Sequence, residues 1–182
     1  MLETNIRNYI SHLGDSEYMA NIVTSPNAVD TLIKLIQIHD REMIGDICLF
    51  IRDFVIACSR NDICKQAWEN ELELAIIPQL ENLLFVDNHF LRRKIIYTLG
   101  KICSYKSIPI MLNLFDEVRD KDPILLPLLI GELFWLGVDN GWQIVESMTI
   151  SKNYTTRWSV METFGKLIYT SLKKFHLHAS YK

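Results

Sequence analysis

The residues that could carry chemistry are few and widely spaced. The sequence contains four cysteines, which are Cys48, Cys58, Cys64 and Cys103. All four lie at apolar positions of helical patterns, and none forms a CxxC pair or a metal-finger spacing. We therefore expect reduced, buried thiols in a reducing compartment.

The histidines give no stronger signal. His176 and His178 form an HxH sequence near the C-terminus, but residues two apart on a helix point to different faces. Cys103 and His89 could be imagined as a nucleophile and its base, although we expect one in a helical core and the other in a turn. No glycine-rich phosphate loop, HExxH motif or nucleophile elbow occurs. The sequence predicts a protein that is not an enzyme, with no metal site, no cofactor and no small-molecule substrate.

Composition indicates a folded protein. The chain has 182 residues, of which 49% are hydrophobic and 23% charged, so we predict one well-buried domain over residues 1–182. The net charge of −3 argues against a general binder of phosphate backbones. The N-terminus does not resemble a secretory signal, and the most apolar stretch, Ile124 to Val138, is too short to cross a bilayer. We predict a cytoplasmic protein without membrane contact.

Helical spacing of apolar residues predicts an all-α fold. The stretch Ile77 to Ile102 is typical of two helices joined by a polar turn, with Pro78 in or near the opening turn of the first helix. Asp87 or Asn88 can cap the second helix. Its predicted core stripe is Leu91, Ile95, Ile96, Leu99 and Ile102.

The rest of the chain continues this pattern of helices. The predicted segments before the central pair are Leu2–Leu13, a helix opened by Ser25-Pro26-Asn27, Glu42–Cys58 and Asn61–Trp68. Glu69, Glu71 and Glu73 are expected at the start of the next helix. Later helices are expected to begin at Ile108-Pro109, after Pro123, at Gly141-Trp142 and near Thr155. In the last one we expect an inward face made of Val160, Met161, Phe164, Leu167 and Ile168.

Three of these helices share an internal repeat. The segments are RRKIIYTLGKI (92–102), LIGELFWLGVD (129–139) and RWSVMETFGKL (157–167), and they align on a common glycine. Arg92 and Arg157 lie eight residues before that glycine in two of the three. A small residue late in a helix lets a neighbouring helix approach closely, so we expect the glycines to serve packing.

This pattern resembles the HEAT and HEAT-like helical repeats. The resemblance is best over residues 77–168, although the intervals between glycines are shorter than the family's usual repeat. It implies a short, irregular stack of about four α-hairpins in which the second helices line a concave face. It also implies structural roles for Arg92 and Arg157.

The predicted binding residues lie on the surface of this stack. The positions expected to face outward on the three aligned helices are Arg93, Tyr97, Lys101, Ile130, Phe134, Val138, Trp158, Glu162 and Lys166. Exposed aromatic residues anchor protein interfaces, although these could instead pack against adjacent helices. Acidic runs could be solvated faces or could steer a basic partner. The candidate partner-binding residues are Tyr97, Trp135, Trp158, Glu162, Glu69, Glu71, Asp116, Glu117, Asp120 and Asp122.

The function predicted from these features is that of a non-enzymatic module that binds another protein. In size, charge and expected fold, the chain resembles some bacterial immunity proteins of HEAT-like architecture. Such proteins neutralise a toxin by covering its active site. A basic nuclease-type toxin would be the partner, and charge reversal at Asp120 and Asp122 is expected to weaken the complex. Two alternatives remain open: a HEAT-like DNA glycosylase or other nucleic-acid-binding protein, and a scaffold subunit of a larger assembly.

Overall fold

All regular structure in the described part of the chain is helical, which confirms the all-α prediction there. The computed structural model describes residues 4, 6, 15–25, 27–38 and 40–179, with side chains as far as Ile168 apart from 70 and 166. Of the predicted helix Leu2–Leu13, only residues 4 and 6 are among those described. The side chains of His176 and His178 lie outside the described part. The helices group into two compact units, residues 1–102 and 103–182.

The first unit contains six helices among its described residues. They are α1 (Ser16–Val23), α2 (Ala28–Gln37), α3 (Arg41–Ala57), α4 (Asp62–Ala67), α5 (Glu73–Leu83) and α6 (His89–Lys101). Side chains of Asp or Asn cap four of them by accepting hydrogen bonds from the first free amides, at Asp15, Asp40, Asn61 and Asn88. Of the two caps considered for α6, Asn88 is the one used, and its side chain accepts from the amide of Leu91 at 3.2 Å.

Two helix pairs pack side by side in this unit. α2 contacts α3 and α5 contacts α6, while α2 also contacts α5 and α3 also contacts α6. The first helices of the two pairs, α2 and α5, therefore lie against each other, and so do the second helices, α3 and α6. The predicted core stripe of α6 is confirmed, because all five of its residues, Leu91, Ile95, Ile96, Leu99 and Ile102, are buried.

The predicted break before α5 is wrong. α4 continues through a π-helical turn, Trp68–Leu72, directly into α5. No glycine or proline lies between Ala67 and Pro78 to stop the helix. Glu69 and Glu71 therefore lie in the middle of a continuous helix and not at a helix start, and Pro78 lies inside α5 instead of in its opening turn.

The second unit is built around one very apolar helix. Its helices are α7 (Ile108–Val118), α8 (Leu126–Trp135), α9 (Gly141–Thr149) and α10 (Tyr154–Ala179), with a short 3-10 turn, Pro123–Leu125, before α8. α8 contacts α7, α9 and α10. Ile130, expected to face outward, is buried because three helices surround α8. Phe134 and Val138 are half-buried.

The aligned glycines do not share one packing role. Gly137 has φ of +81°, and the amide of Val138 donates to the carbonyl of Leu133 at 3.1 Å. This geometry ends α8 in a left-handed cap that suits glycine. Gly165 lies within α10, where an added Cβ would meet nothing within 4 Å. The expected close helix approach is therefore wrong at both positions.

The inward face of α10 also differs from the prediction. Val160 and Leu167 are buried as expected, but Met161, Phe164 and Ile168 are 72%, 37% and 60% exposed. The buried positions are filled instead by three hydroxyl residues, Thr156, Ser159 and Thr163.

The four cysteines are free, but only Cys48 and Cys64 are buried. Cys58 is half-buried and Cys103 is exposed, which corrects the expectation of four buried thiols.

None of the helices in the described residues combines the length and the apolar character that a bilayer crossing requires.

Candidate functional site

A groove runs between α3 and α6 in the first unit, and we call it the α3–α6 groove. Its α3 side carries Arg41, Gly45, Cys48 and Arg52, and its α6 side carries Phe90, Lys94 and Tyr97. Each row has the spacing of one helix face, in which residues three and four apart are neighbours. The groove encloses about 400 Å³. Both rows come from helices that pack against each other, so the helix backbones fix the spacing of these side chains.

Cations sit against both aromatic rings of the groove. The guanidinium carbon of Arg41 lies 3.9 Å from the ring centroid of Phe90, and the Lys94 amine lies 5.4 Å from the same centroid. Tyr97 is approached by Arg52 at 5.9 Å and by Lys101 at 4.9 Å. Such cation–π contacts hold long side chains in place at a surface. The groove therefore presents positioned guanidinium and ammonium groups beside aromatic faces.

The groove is not uniformly basic. Glu42 and Asp46 also line it, and Asp53 pairs with the Arg52 guanidinium at 3.2 Å. Burial raises the pKa of the Cys48 thiol to about 11, although a hydrogen bond with Thr98 and the charges of Lys94 and Arg52 lower it in part. The thiol is therefore neutral at physiological pH, where a thiolate would be the nucleophile. The arrangement suits recognition by mixed charges and rings.

Of the predicted binding residues, only Tyr97 belongs to this groove. The others in the first unit, Glu69 and Glu71, are exposed on the π-helical turn, and Glu71 borders a second depression of about 580 Å³ with Asp30. Sequence reasoning missed Arg41, Arg52, Phe90 and Lys94. Projecting residues 41–52 and 90–101 on two helices that stack face to face would have placed them together.

The seven remaining predicted residues belong to the second unit. Trp158 and Glu162 are exposed on α10, Asp116 is exposed on α7, and Trp135, Glu117 and Asp122 are half-buried. Trp142, which was not predicted, is 58% exposed and links two other rings. Its ring centroid lies 5.3 Å from that of Phe134 and 6.0 Å from that of Phe164. Trp158 is exposed, as the interface interpretation expects, whereas Trp135 is half-buried, which is closer to the expectation that it packs against adjacent helices.

Asp120 is engaged within the chain. Its carboxylate accepts hydrogen bonds from the hydroxyls of Ser151 at 2.6 Å and Thr156 at 3.2 Å, and Arg119 lies 3.6 Å away. The Ser151 hydrogen bond is the main cause that lowers the pKa of Asp120, assisted by Thr156 and Arg119. Asn153 also donates to the Asp120 carbonyl at 2.9 Å. Charge reversal at Asp120 would therefore perturb the start of α10 as well as any interface.

The two aligned arginines both bond to backbone carbonyls just before their helices. Arg92 is buried, and its Nε donates to the Leu84 carbonyl at 2.9 Å. Arg157 is exposed, and its Nη1 donates to the carbonyls of Ser151 at 2.7 Å and Lys152 at 2.9 Å. Each arginine therefore ties its helix to the preceding turn.

A group of three or more His, Cys, Asp or Glu side chains placed to hold a metal ion is not found among the residues that the structure describes. The chain matches no protein-family model, no curated protein and no solved structure at a significant level.

Proposed function

We propose that the chain is a non-enzymatic module that binds another protein. The α3–α6 groove carries this proposal, because it combines arginine and aromatic side chains, the residue types that most often anchor protein interfaces. Carboxylates beside the cations give the groove both signs of charge, which suits a protein surface better than a uniform row of phosphates. The neutral Cys48 thiol and the buried Thr98 give it an uncharged floor.

The proposal includes a HEAT-like arrangement of helix pairs. Its support is the packing in the first unit, where α2 lies on α5 and α3 on α6. In such a stack, the second helices line the surface that receives a partner, and the groove lies between two second helices. The backbone hydrogen bonds of Arg92 and Arg157 agree with the structural role that the resemblance implies.

A more specific version of the proposal is a cytoplasmic immunity protein that covers the active site of a basic nuclease-type toxin. Its support is the set of exposed carboxylates that remain available for a basic partner, which are Glu69, Glu71, Asp116 and Glu162. Opposite charges across an interface speed association and exclude wrong partners. Because Asp120 is engaged within the chain, Glu69 and Glu71 are the better positions for charge reversal.

Affinity purification of the tagged protein from its native host, followed by mass spectrometry, tests the proposal. We expect a stoichiometric protein partner at physiological salt. Arg52→Glu and Tyr97→Ala should each weaken its capture at least about tenfold, while Lys65→Glu, an exposed site on α4 outside the groove, should leave it unchanged. Recovery of the protein without any protein partner, or equal capture by all variants, would contradict the proposal.

The same groove supports one second candidate, binding of nucleic acid. Arg41, Arg52, Lys94 and Lys101 could contact phosphates while Phe90 and Tyr97 stack on bases. Phosphate contacts give a steep decrease in affinity with salt. A gel shift with duplex and single-stranded nucleic acid at two salt concentrations separates the candidates, because only the second predicts a salt-sensitive shift that Lys94→Glu removes.

A further inference from the structure

The outward face of α10 carries a regular apolar row that we call the α10 seam. Within the described side chains it consists of Tyr154, Trp158, Met161, Gly165 and Ile168, separated by alternating steps of four and three residues. Tyr154, Trp158 and Met161 are 71%, 50% and 72% exposed. Alternating three- and four-residue steps are the spacing of the a and d positions of a coiled coil. In the sequence, the same steps continue at Leu172, Phe175 and Ala179.

The opposite face of α10 is already occupied. Thr156, Ser159, Val160, Thr163 and Leu167 are buried, and α10 packs against α8. With Trp158 at position a and Met161 at position d, the buried residues fall at b, c and f. As far as Ile168, α10 therefore uses its b, c and f positions for its own unit and leaves its a and d positions outside. A single amphipathic surface helix would show the reverse, with its apolar row inward.

The length of the helix fits pairing with another helix. α10 runs from Tyr154 to Ala179, a total of 26 residues. At the rise of an α-helix this corresponds to about 39 Å, and it spans between three and four heptads. Heptads sustained over that length, with charges at the flanking positions, are typical of a coiled coil.

The flanking charges point to a second copy of this chain as the partner. Arg157 falls at position g and Glu162 at the following position e, and both side chains are exposed. In a parallel coiled coil with the two helices in register, position g of one helix lies beside position e of the next heptad on the other. Nη1 of Arg157 stays on the carbonyls of Ser151 and Lys152, so its Nε and Nη2 groups would meet Glu162 of the other copy. This pair would occur twice, once on each side of the seam. The same sequence thus supplies both halves of the charge pair.

We infer that α10 pairs with α10 of a second copy, parallel and in register, through the α10 seam. The inference depends on residues outside the α3–α6 groove and is independent of the proposed function. Apolar side chains that are exposed in one copy would become the buried core of the pair. Met161 would face Met161 of the second copy, because both occupy position d.

Sedimentation across about a hundredfold range of concentration tests the pairing. We expect wild type to change from monomer to dimer, with at least about 30-fold weaker association in Trp158→Glu or Met161→Glu, the effect of losing an interface anchor. Ile150→Glu is the matched control, since Ile150 is 80% exposed but lies outside α10. Arg52→Glu, in the groove, should also leave the dimer unchanged. Circular dichroism verifies that each variant is folded.

A cysteine at the seam tests the register. In a Cys103→Ser background, Met161→Cys should form a disulfide between copies under mild oxidation, while Ile150→Cys should not. Wild type that stays monomeric throughout, or a dimer that both seam variants leave intact, would overturn the pairing. A seam-dependent dimer without the Met161→Cys cross-link would overturn the parallel register. A monomer whose seam is covered by a different protein would overturn the choice of a second copy.

Discussion

α6 and α10 have similar sequences but expose opposite kinds of surface. Aligned on their common glycine, Ile96 corresponds to Met161 and Leu99 to Phe164. Ile96 and Leu99 are fully buried, whereas Met161 is 72% and Phe164 37% exposed. Lys94 is exposed on α6, but its counterpart Ser159 is buried on α10. The buried face of α10 is therefore rotated about the helix axis relative to that of α6.

The neighbours of each helix explain this rotation. The Ser159 hydroxyl lies 2.8 Å from the carbonyls of both Pro123 and Thr155, which share its one proton, and Thr156 donates to the Arg119 carbonyl at 2.5 Å. The carbonyls of Arg119 and Pro123 belong to the segment between α7 and α8, and that of Thr155 belongs to α10 itself. Because these oxygens accept hydrogen bonds, hydroxyl side chains are favoured at the contact. Small side chains also let α10 lie close to α8. Hydrogen bonding and close fit, not apolar content, thus choose the inward face of α10.

The largest expected difference between the two helices is in the stability lost when an aligned apolar side chain is shortened to alanine. Ile96→Ala should decrease the free energy of unfolding by about 2–5 kcal/mol, because it leaves a cavity in the core of the first unit. Met161→Ala at the aligned position should change it by at most about 0.5 kcal/mol, since most of this side chain is exposed. Urea unfolding at low protein concentration measures both. Equal losses would contradict the rotated face.

The next largest effect concerns the ring cluster beside α10. A Cβ added to Gly141 would overlap the ring of Phe134, so Gly141→Ala should displace that ring from Trp142 and cost about 1–3 kcal/mol by overpacking. Gly165→Ala is the matched control, because an added Cβ there meets nothing within 4 Å. It should instead stabilise the protein by about 0.4–1 kcal/mol. Because Gly165 belongs to the α10 seam, thermal unfolding at low protein concentration, where the seam is unpaired, distinguishes the two signs.

The buried hydroxyls of α10 provide a third test. Thr156→Val keeps the shape of the side chain but removes the hydroxyl, whose one proton is shared between the Arg119 carbonyl and, more distantly, the Asp120 carboxylate. It should lower the free energy of unfolding by about 1–2 kcal/mol. Thr155→Val, one position along on the half-buried side, should have a smaller effect. If the valine variant is as stable as wild type, close fit alone accounts for the inward face.

The smallest expected effect is the pH dependence contributed by Asp120. Its folded pKa lies below the ordinary value of 3.8, chiefly through the Ser151 hydrogen bond. The carboxylate therefore contributes stability above its unfolded pKa, and this contribution is lost as the pH falls through the depressed folded pKa. Asp120→Asn should lower the melting temperature at neutral pH and flatten its decrease in acid. Asp116→Asn, on α7, serves as the control, and an unchanged acid limb in Asp120→Asn would contradict the role.

The sequence was sufficient to predict most helices of the fold. Helical spacing located α2 to α10 but not α1, and the short polar side chain of Asn88 was one of two caps proposed for α6. These signals are local, because they depend on residues within one turn of each other. The π-helical turn at Trp68–Leu72 was missed, since no residue type marks it as strongly as glycine or proline marks a helix end.

The binding surfaces were harder to predict because they depend on which helices meet. Tyr97 was recognised as exposed, but Arg52 lies on another helix and reaches its ring only after α3 packs on α6. On α10, one face carries a row of large apolar side chains and the opposite face carries small hydroxyl side chains, and apolar periodicity alone would choose the wrong face. The choice was made by carbonyls at Pro123 and Arg119, which are about 36 residues away in sequence.

The π-helical turn has a consequence for how the first unit is assembled. A π turn holds about one residue more than an α turn, so the helices on either side differ in phase by about 100°. α4 directs Cys64 toward the Ser16 carbonyl at the start of α1, while α5 meets α2 and α6. Removing one residue from Trp68–Leu72 would restore regular winding and swing one half away from its neighbours. The extra residue therefore rotates α5 relative to α4, so that one continuous helix can contact neighbours in two different directions.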